Sequence, residues 1–83
     1  MPTIWRSGGF RFVIWPDDHE PPHVHIVRGN LLAAIIDLGM EEKLVSIKAN
    51  YRLNRRELAL AVRVVAANNA MFAKEWTKIH GKS

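Results

Sequence analysis

Three of the chain's four histidines lie within seven residues, His19-Glu20-Pro21-Pro22-His23-Val24-His25, directly behind the acidic pair Asp17-Asp18. An unperturbed imidazole titrates near pH 6.5, so it can carry protons, switch charge or ligate a metal close to neutrality. On an extended strand residues i and i+2 share a face, which points His23 and His25 one way and Val24 and Ile26 the other. Two imidazoles about 7 Å apart along one strand can chelate a single ion. A zinc or nickel site then needs further donors. His19, brought back by the stiff Pro-Pro segment, is the expected third nitrogen, and Asp17, Asp18 or Glu20 supplies a carboxylate ligand or an orienting partner. The expected metal set is His19, His23, His25 and Asp18. The same pair suits acid/base cleavage of RNA, in which one imidazole takes the 2′-OH proton, another protonates the leaving oxygen, and a basic side chain stabilises the phosphorane. His23 and His25 are then catalytic, and Arg28 at the far end of the strand is a phosphate contact. In the third alternative the imidazoles bond only to backbone carbonyls and neighbouring acids, and shape the strand entry.

The elements that must position this block are legible around it. Phe10-Arg11-Phe12-Val13-Ile14-Trp15 reads as a strand ended by Pro16-Asp17-Asp18. Pro21-Pro22 keeps the chain extended and removes two amide donors, so pairing resumes at His23. A second strand covers His23 to Arg28, and Gly29-Asn30 turns it into the apolar run Leu31 to Leu38. Gly39 to Glu42 turns the chain again, and Lys43 to Lys48 forms the last strand. Ser7-Gly8-Gly9 is a turn, because a phosphate loop would be longer and would lead into a helix.

Asn54-Arg55-Arg56-Glu57 has the spacing of a capping box, so a helix starts there and runs toward Gly81. At 100° per residue Leu58, Val62, Val65, Phe72 and Trp76 share one stripe, with Ala61 and Ile79 at its edge. Arg56, Arg63 and Lys74 lie opposite, a face for nucleic acid or an acidic partner together with Arg28. Leu60, Val64 and Met71 flank that basic stripe and are the expected self-association surface. Asn69 falls inside the core stripe, where an unpaired amide costs about 1–3 kcal/mol. It therefore kinks the helix, pairs with the sheet or sets a register between two chains. An unbroken helix of about 27 residues would span roughly 40 Å, longer than a domain of this size is wide. The expected fold is α+β: one domain over residues 1–83, with a small antiparallel meander of three to four strands within 3–48 and one long or kinked helix within 54–80.

Size and charge narrow the functions. Eighty-three residues make one small domain, with little room for a deep cavity in a single copy. The absence of cysteine excludes disulfides and thiolate zinc sites and fits a cytoplasmic location. The start of the chain lacks the pattern of a signal peptide, and no apolar run is long enough for a membrane span. The net charge of +4 divides into −3 for residues 1–42 and +7 for residues 43–83. Such asymmetry points to an acidic partner, RNA or DNA included, or to head-to-tail self-association.

Met1-Pro2-Thr3-Ile4, Phe12-Val13-Ile14-Trp15, the Asp18 to His25 block, Arg56-Glu57-Leu58 and the terminal Glu75-Trp76 with Ile79-His80-Gly81 together resemble DUF4160, a family of short prokaryotic proteins defined as a domain of unknown function. The resemblance runs through nearly the whole chain, and His-x-Pro-Pro-His-x-His is its most specific part. It carries over His19, Pro21, Pro22, His23, His25 and Trp76 as signature positions, without a catalytic role. It departs at Ala66-Ala67-Asn68-Asn69-Ala70, where a more charged stretch is usual. It implies a place in toxin-antitoxin-like gene pairs. The leading expectation is accordingly a protein-binding module, a homodimer or the partner of a small protein encoded nearby, rather than an enzyme. A ribonuclease-type or metal-binding protein using His19, His23 and His25 is the alternative.

Overall fold

The computed structural model describes residues 3–39 and 44–80. The elements are β1 (Thr3–Ser7), β2 (Phe10–Val13), β3 (His23–Arg28), β4 (Leu31–Asp37), β5 (Ser46–Asn50), α1 (Arg55–Ala67) and α2 (Asn69–His80). The strands form one antiparallel sheet in the order β1-β2-β3-β4-β5, followed by the helices, which is the expected α+β class. The sheet has five strands where three to four were expected. The additional strand is β1, and the Ser7-Gly8-Gly9 turn joins it to β2. Gly8 and Gly9 both take positive φ, 58° and 83°, the requirement of a two-residue hairpin turn whose twist matches its strands. β2 is shorter than read, because Trp15 already belongs to the following turn. The last strand lies at Ser46–Asn50 and not from Lys43; residues 40–43, and with them most of the expected Gly39–Glu42 turn, lie outside the described residues, as does Gly81.

Register sorts the side chains onto two faces. Trp5, Phe12, Ile26, Ala34 and Asn50 are successive partners across all five strands, and Val24, Ile36 and Ile47 form a second row of the same face. Phe12, Val24, Ile26, Ala34 and Ile36 are buried in one cluster with Ala61, Val65, Phe72 and Trp76 of the helices. The other face carries the rows Val13, His25, Ile35, Ala49 and His23, Asp37, Ser46. The two histidines of β3 therefore stand on the face opposite the main core, as their i, i+2 spacing requires.

The helix begins as its sequence dictates. Asn54 accepts from the Glu57 amide at 2.8 Å and Glu57 accepts from the Asn54 amide at 3.0 Å, a complete capping box. It then breaks at Asn68, whose side-chain amide donates to the Val64 carbonyl at 2.8 Å. Asn69 holds the broken end to the sheet: its oxygen accepts from the Gly39 amide at 2.9 Å and its nitrogen donates to the Gly39 carbonyl at 2.8 Å. One side chain thereby replaces a backbone pair, and the amide in the core stripe is paired on both its oxygen and its nitrogen. The largest dimension of the molecule is 37 Å, too short for an unbroken helix of about 40 Å. Among the described residues, no helix is long and apolar enough to cross a membrane.

Candidate metal centre

The loop between β2 and β3 places the first donor. Trp15-Pro16-Asp17-Asp18 is a β-turn with proline at its second position, where φ near −65° is already required. It is closed by a 3.1 Å bond from the Asp18 amide to the Trp15 carbonyl and by a 3.0 Å bond from the Trp15 amide to Asp18 Oδ2. The turn thus aims the Asp18 carboxylate back toward β3. The chain passes His19 and Glu20, crosses the cis Glu20-Pro21 bond, and enters the sheet at His23, with the Pro22 carbonyl accepting from the Leu38 amide at 3.0 Å.

Three donors then converge. Asp18 Oδ2 lies 3.8 Å from His23 Nε2 and 3.5 Å from His25 Nδ1, and one ligand atom from each of the three residues falls within 4.8 Å of the others. In a tetrahedral site with bonds near 2.0–2.1 Å, neighbouring ligand atoms are about 3.4 Å apart. The two separations from Asp18 are close to that value and slightly wide. His19 is exposed and stands outside the group. Asp18, also in the expected set, is held at the group by the Trp15–Asp18 turn, which is closed by bonds of its own.

Hydrogen bonding sets the state of each imidazole. His23 Nδ1 lies 2.8 Å from the Pro21 carbonyl. A carbonyl only accepts, so Nδ1 carries the hydrogen, and in the neutral ring Nε2 presents its lone pair to Asp18. This is the arrangement of a ligating histidine, in which the far nitrogen is held by a backbone carbonyl. His25 Nδ1 is buried and has no hydrogen-bond partner. Burial pushes the pKa of His25 below its ordinary value; the Asp18 carboxylate opposes that fall, the neighbouring His23 adds to it, and the Val13 backbone opposes it. Asp18, His23 and His25 side chains retain only 12–13% of their exposure.

The C-terminal helix completes the enclosure. The Trp76 ring lies 5.3 Å from that of His23, its Nε1 donates to Glu20 Oε2 at 3.4 Å, and Trp15 sits edge-on to His25 at 4.5 Å. His80 stacks on Trp76 at 3.9 Å between centroids. Its Nδ1 meets the Trp76 carbonyl at 2.8 Å and its Nε2 the Asp18 carbonyl at 3.0 Å. Its link to Asp18 spans 62 residues, and no local pattern announces a contact of that kind.

The remaining expected residues are scattered. Arg56, Arg63 and Lys74 are exposed on the helices. Arg28 pairs with Glu57 Oε2 and lies over the Phe10 ring at 4.6 Å, so its guanidinium is already engaged. Leu60 is 52% exposed, whereas Val64 and Met71 pack against the core.

Neither a curated protein nor a solved structure matches the chain. A family model does match, over residues 9–77, and that span takes in the Asp18–His25 block together with Trp76, the segments that meet at the centre just described. The chain belongs to the family described as a domain of unknown function, DUF4160.

Proposed function

We propose that this protein is a small metal-binding module that holds zinc or nickel through Asp18 Oδ2, His23 Nε2 and His25 Nδ1. The observation that carries the reading is the placing of Asp18 Oδ2 3.8 Å from His23 Nε2 and 3.5 Å from His25 Nδ1, with the His25 nitrogen buried and without a hydrogen-bond partner among the described residues. A neutral His25, which burial favours, can turn a lone pair toward Asp18 Oδ2, and a metal ion between the three residues would satisfy that nitrogen, His23 Nε2 and the carboxylate together. Imidazole and carboxylate suit zinc and nickel, and three protein ligands leave one position of a tetrahedral ion for water or an incoming donor. Metal-stripped full-length protein should bind one equivalent of zinc or nickel in calorimetry and melt at a higher temperature, by the equivalent of about 2.7 kcal/mol when free metal is a hundred times Kd. His23→Ala with His25→Ala should abolish the shift and His19→Ala should leave it. No shift with either ion, or equal loss in the His19 variant, would refute the assignment.

A partner-binding reading stands beside it, that of a protein-binding module in a toxin-antitoxin-like pair. It is supported by a different place, the exposed Leu60 between Arg56 and Arg63 on α1. The two readings use opposite ends of the molecule and can fail separately.

A further inference from the structure

The helical layer does not cover the sheet to its edge. β1 is an outer strand of the sheet, and Trp5, which belongs by register to the core-facing row, is still 36% exposed. Beside it a groove of about 170 Å³ runs between the β1–β2 hairpin and α1. Its floor is Phe10 and Phe12, and its wall is Leu60, Ala61 and Val64. The volume suits one large apolar side chain, the kind of anchor that dominates helix-in-groove recognition.

The rim is basic. Arg56 and Arg63 lie four residues before and three after Leu60, so all three share one exposed side of α1. Glu57, the acid that lines the groove, is already paired with Arg28. A symmetric dimer centred on Leu60 would set each copy's Arg56 and Arg63 near their equivalents in the other copy, which like-charge repulsion opposes. An acidic partner meets no such penalty.

We infer that the β1–α1 groove is a docking site for an acidic amphipathic helix of another protein, which lies beside α1 over β1 and β2 and inserts one large apolar side chain between Phe10 and Leu60. This rests on the partner-binding reading and is independent of the metal centre. The test uses the full chain and two labelled peptides of about five helical turns, one with leucines on one face and glutamates on the rest, the other with lysines in place of the glutamates. The glutamate peptide should bind at low salt, weaken by about tenfold or more when the ionic strength is raised from 50 to 500 mM, roughly the screening range of rim charges, and weaken by about tenfold or more in Leu60→Asp. Leu60→Ala, which leaves no charge in the groove, should weaken it less, and Arg56→Glu with Arg63→Glu should reverse the preference toward the lysine peptide. Equal binding of both peptides, or binding unaffected by both Leu60 variants with the fold intact by circular dichroism, overturns the inference. Concentration-dependent self-association that Leu60→Asp abolishes, without peptide binding, overturns the acidic partner but leaves a partner-binding protein; a strict monomer that binds neither peptide removes both.

Discussion

The two ends of the molecule are finished differently. At the histidine end, residues as far apart as Asp18 and His80 are joined by direct bonds, and Trp76, 3% exposed, ties the core to the Asp18–His23–His25 group. At the hairpin end, β1 and α1 face each other across an apolar groove, and Leu60 is left 52% exposed. The break at Asn68 and Asn69 makes the difference possible. A straight helix would carry Trp76 past the sheet, whereas the Asn69–Gly39 bonds anchor α2 so that its last turn reaches Asp18. Closure of one end is thus a matter of where the second helix is held, and among the described residues no element closes the other.

That contrast can be broken by substitution. The largest effect belongs to Trp76→Ala, which empties a buried site at the closed end and should cost about 3–5 kcal/mol in urea unfolding. Leu60→Ala at the open end should stay within about 0.5 kcal/mol in the same measurement. Comparable losses would mean that the groove is as much a part of the folded core as Trp76 is. Next in size, replacing Asp18 by Asn, or either ligating histidine by Ala, should weaken zinc binding by about a hundredfold or more, since even partners that only orient ligands are worth about 10–100-fold. His80→Ala, which lets go of the Asp18 backbone without removing a ligand, should fall inside that 10–100-fold range, and an unchanged affinity would separate the helix from the site.

Asn69→Ala tests the anchor itself. It leaves both Gly39 backbone groups without their partner and should cost about 1–3 kcal/mol, with a parallel loss of protection at His80 in hydrogen exchange. The smallest effect concerns the capping box at the open end. The bond from the Asn54 amide lowers the Glu57 pKa below its ordinary value, desolvation opposes it, and Arg28 reinforces it. A carboxylate with a depressed folded-state pKa adds stability that is complete above the unfolded value and is lost as pH falls through the folded one. The melting-temperature gap between wild type and Glu57→Gln should therefore be constant above about pH 4.5 and shrink below it. A gap that widens on acidification would reverse the sign argued here.

Features governed by near neighbours along the chain were legible in the residues alone. The capping box depends on a three-residue spacing, the start of β3 on the missing amides of Pro21-Pro22, and the shared side of His23 and His25 on the two-residue period of a strand. β1 escaped because Thr3–Ser7 has little alternation of its own and is held as a strand by its register with β2. The expected set held both His19 and Asp18, which are adjacent in sequence, and only the turn at Trp15–Asp18 decides that it is Asp18 whose side chain points at the pair. Asn69 stood out as an anomaly, yet its partner at Gly39 is thirty residues away.

By itself, then, the sequence determined the α+β class, the helix start, the same-face histidine pair and the charge division, all consequences of local geometry and composition. The tertiary structure alone decided that Asp18 meets the pair while His19 stands apart, that His80 closes over it, and that a groove stays open beside Leu60. Those outcomes depend on where separate elements come to rest against one another, and packing sets that position through contacts that no spacing along the chain encodes.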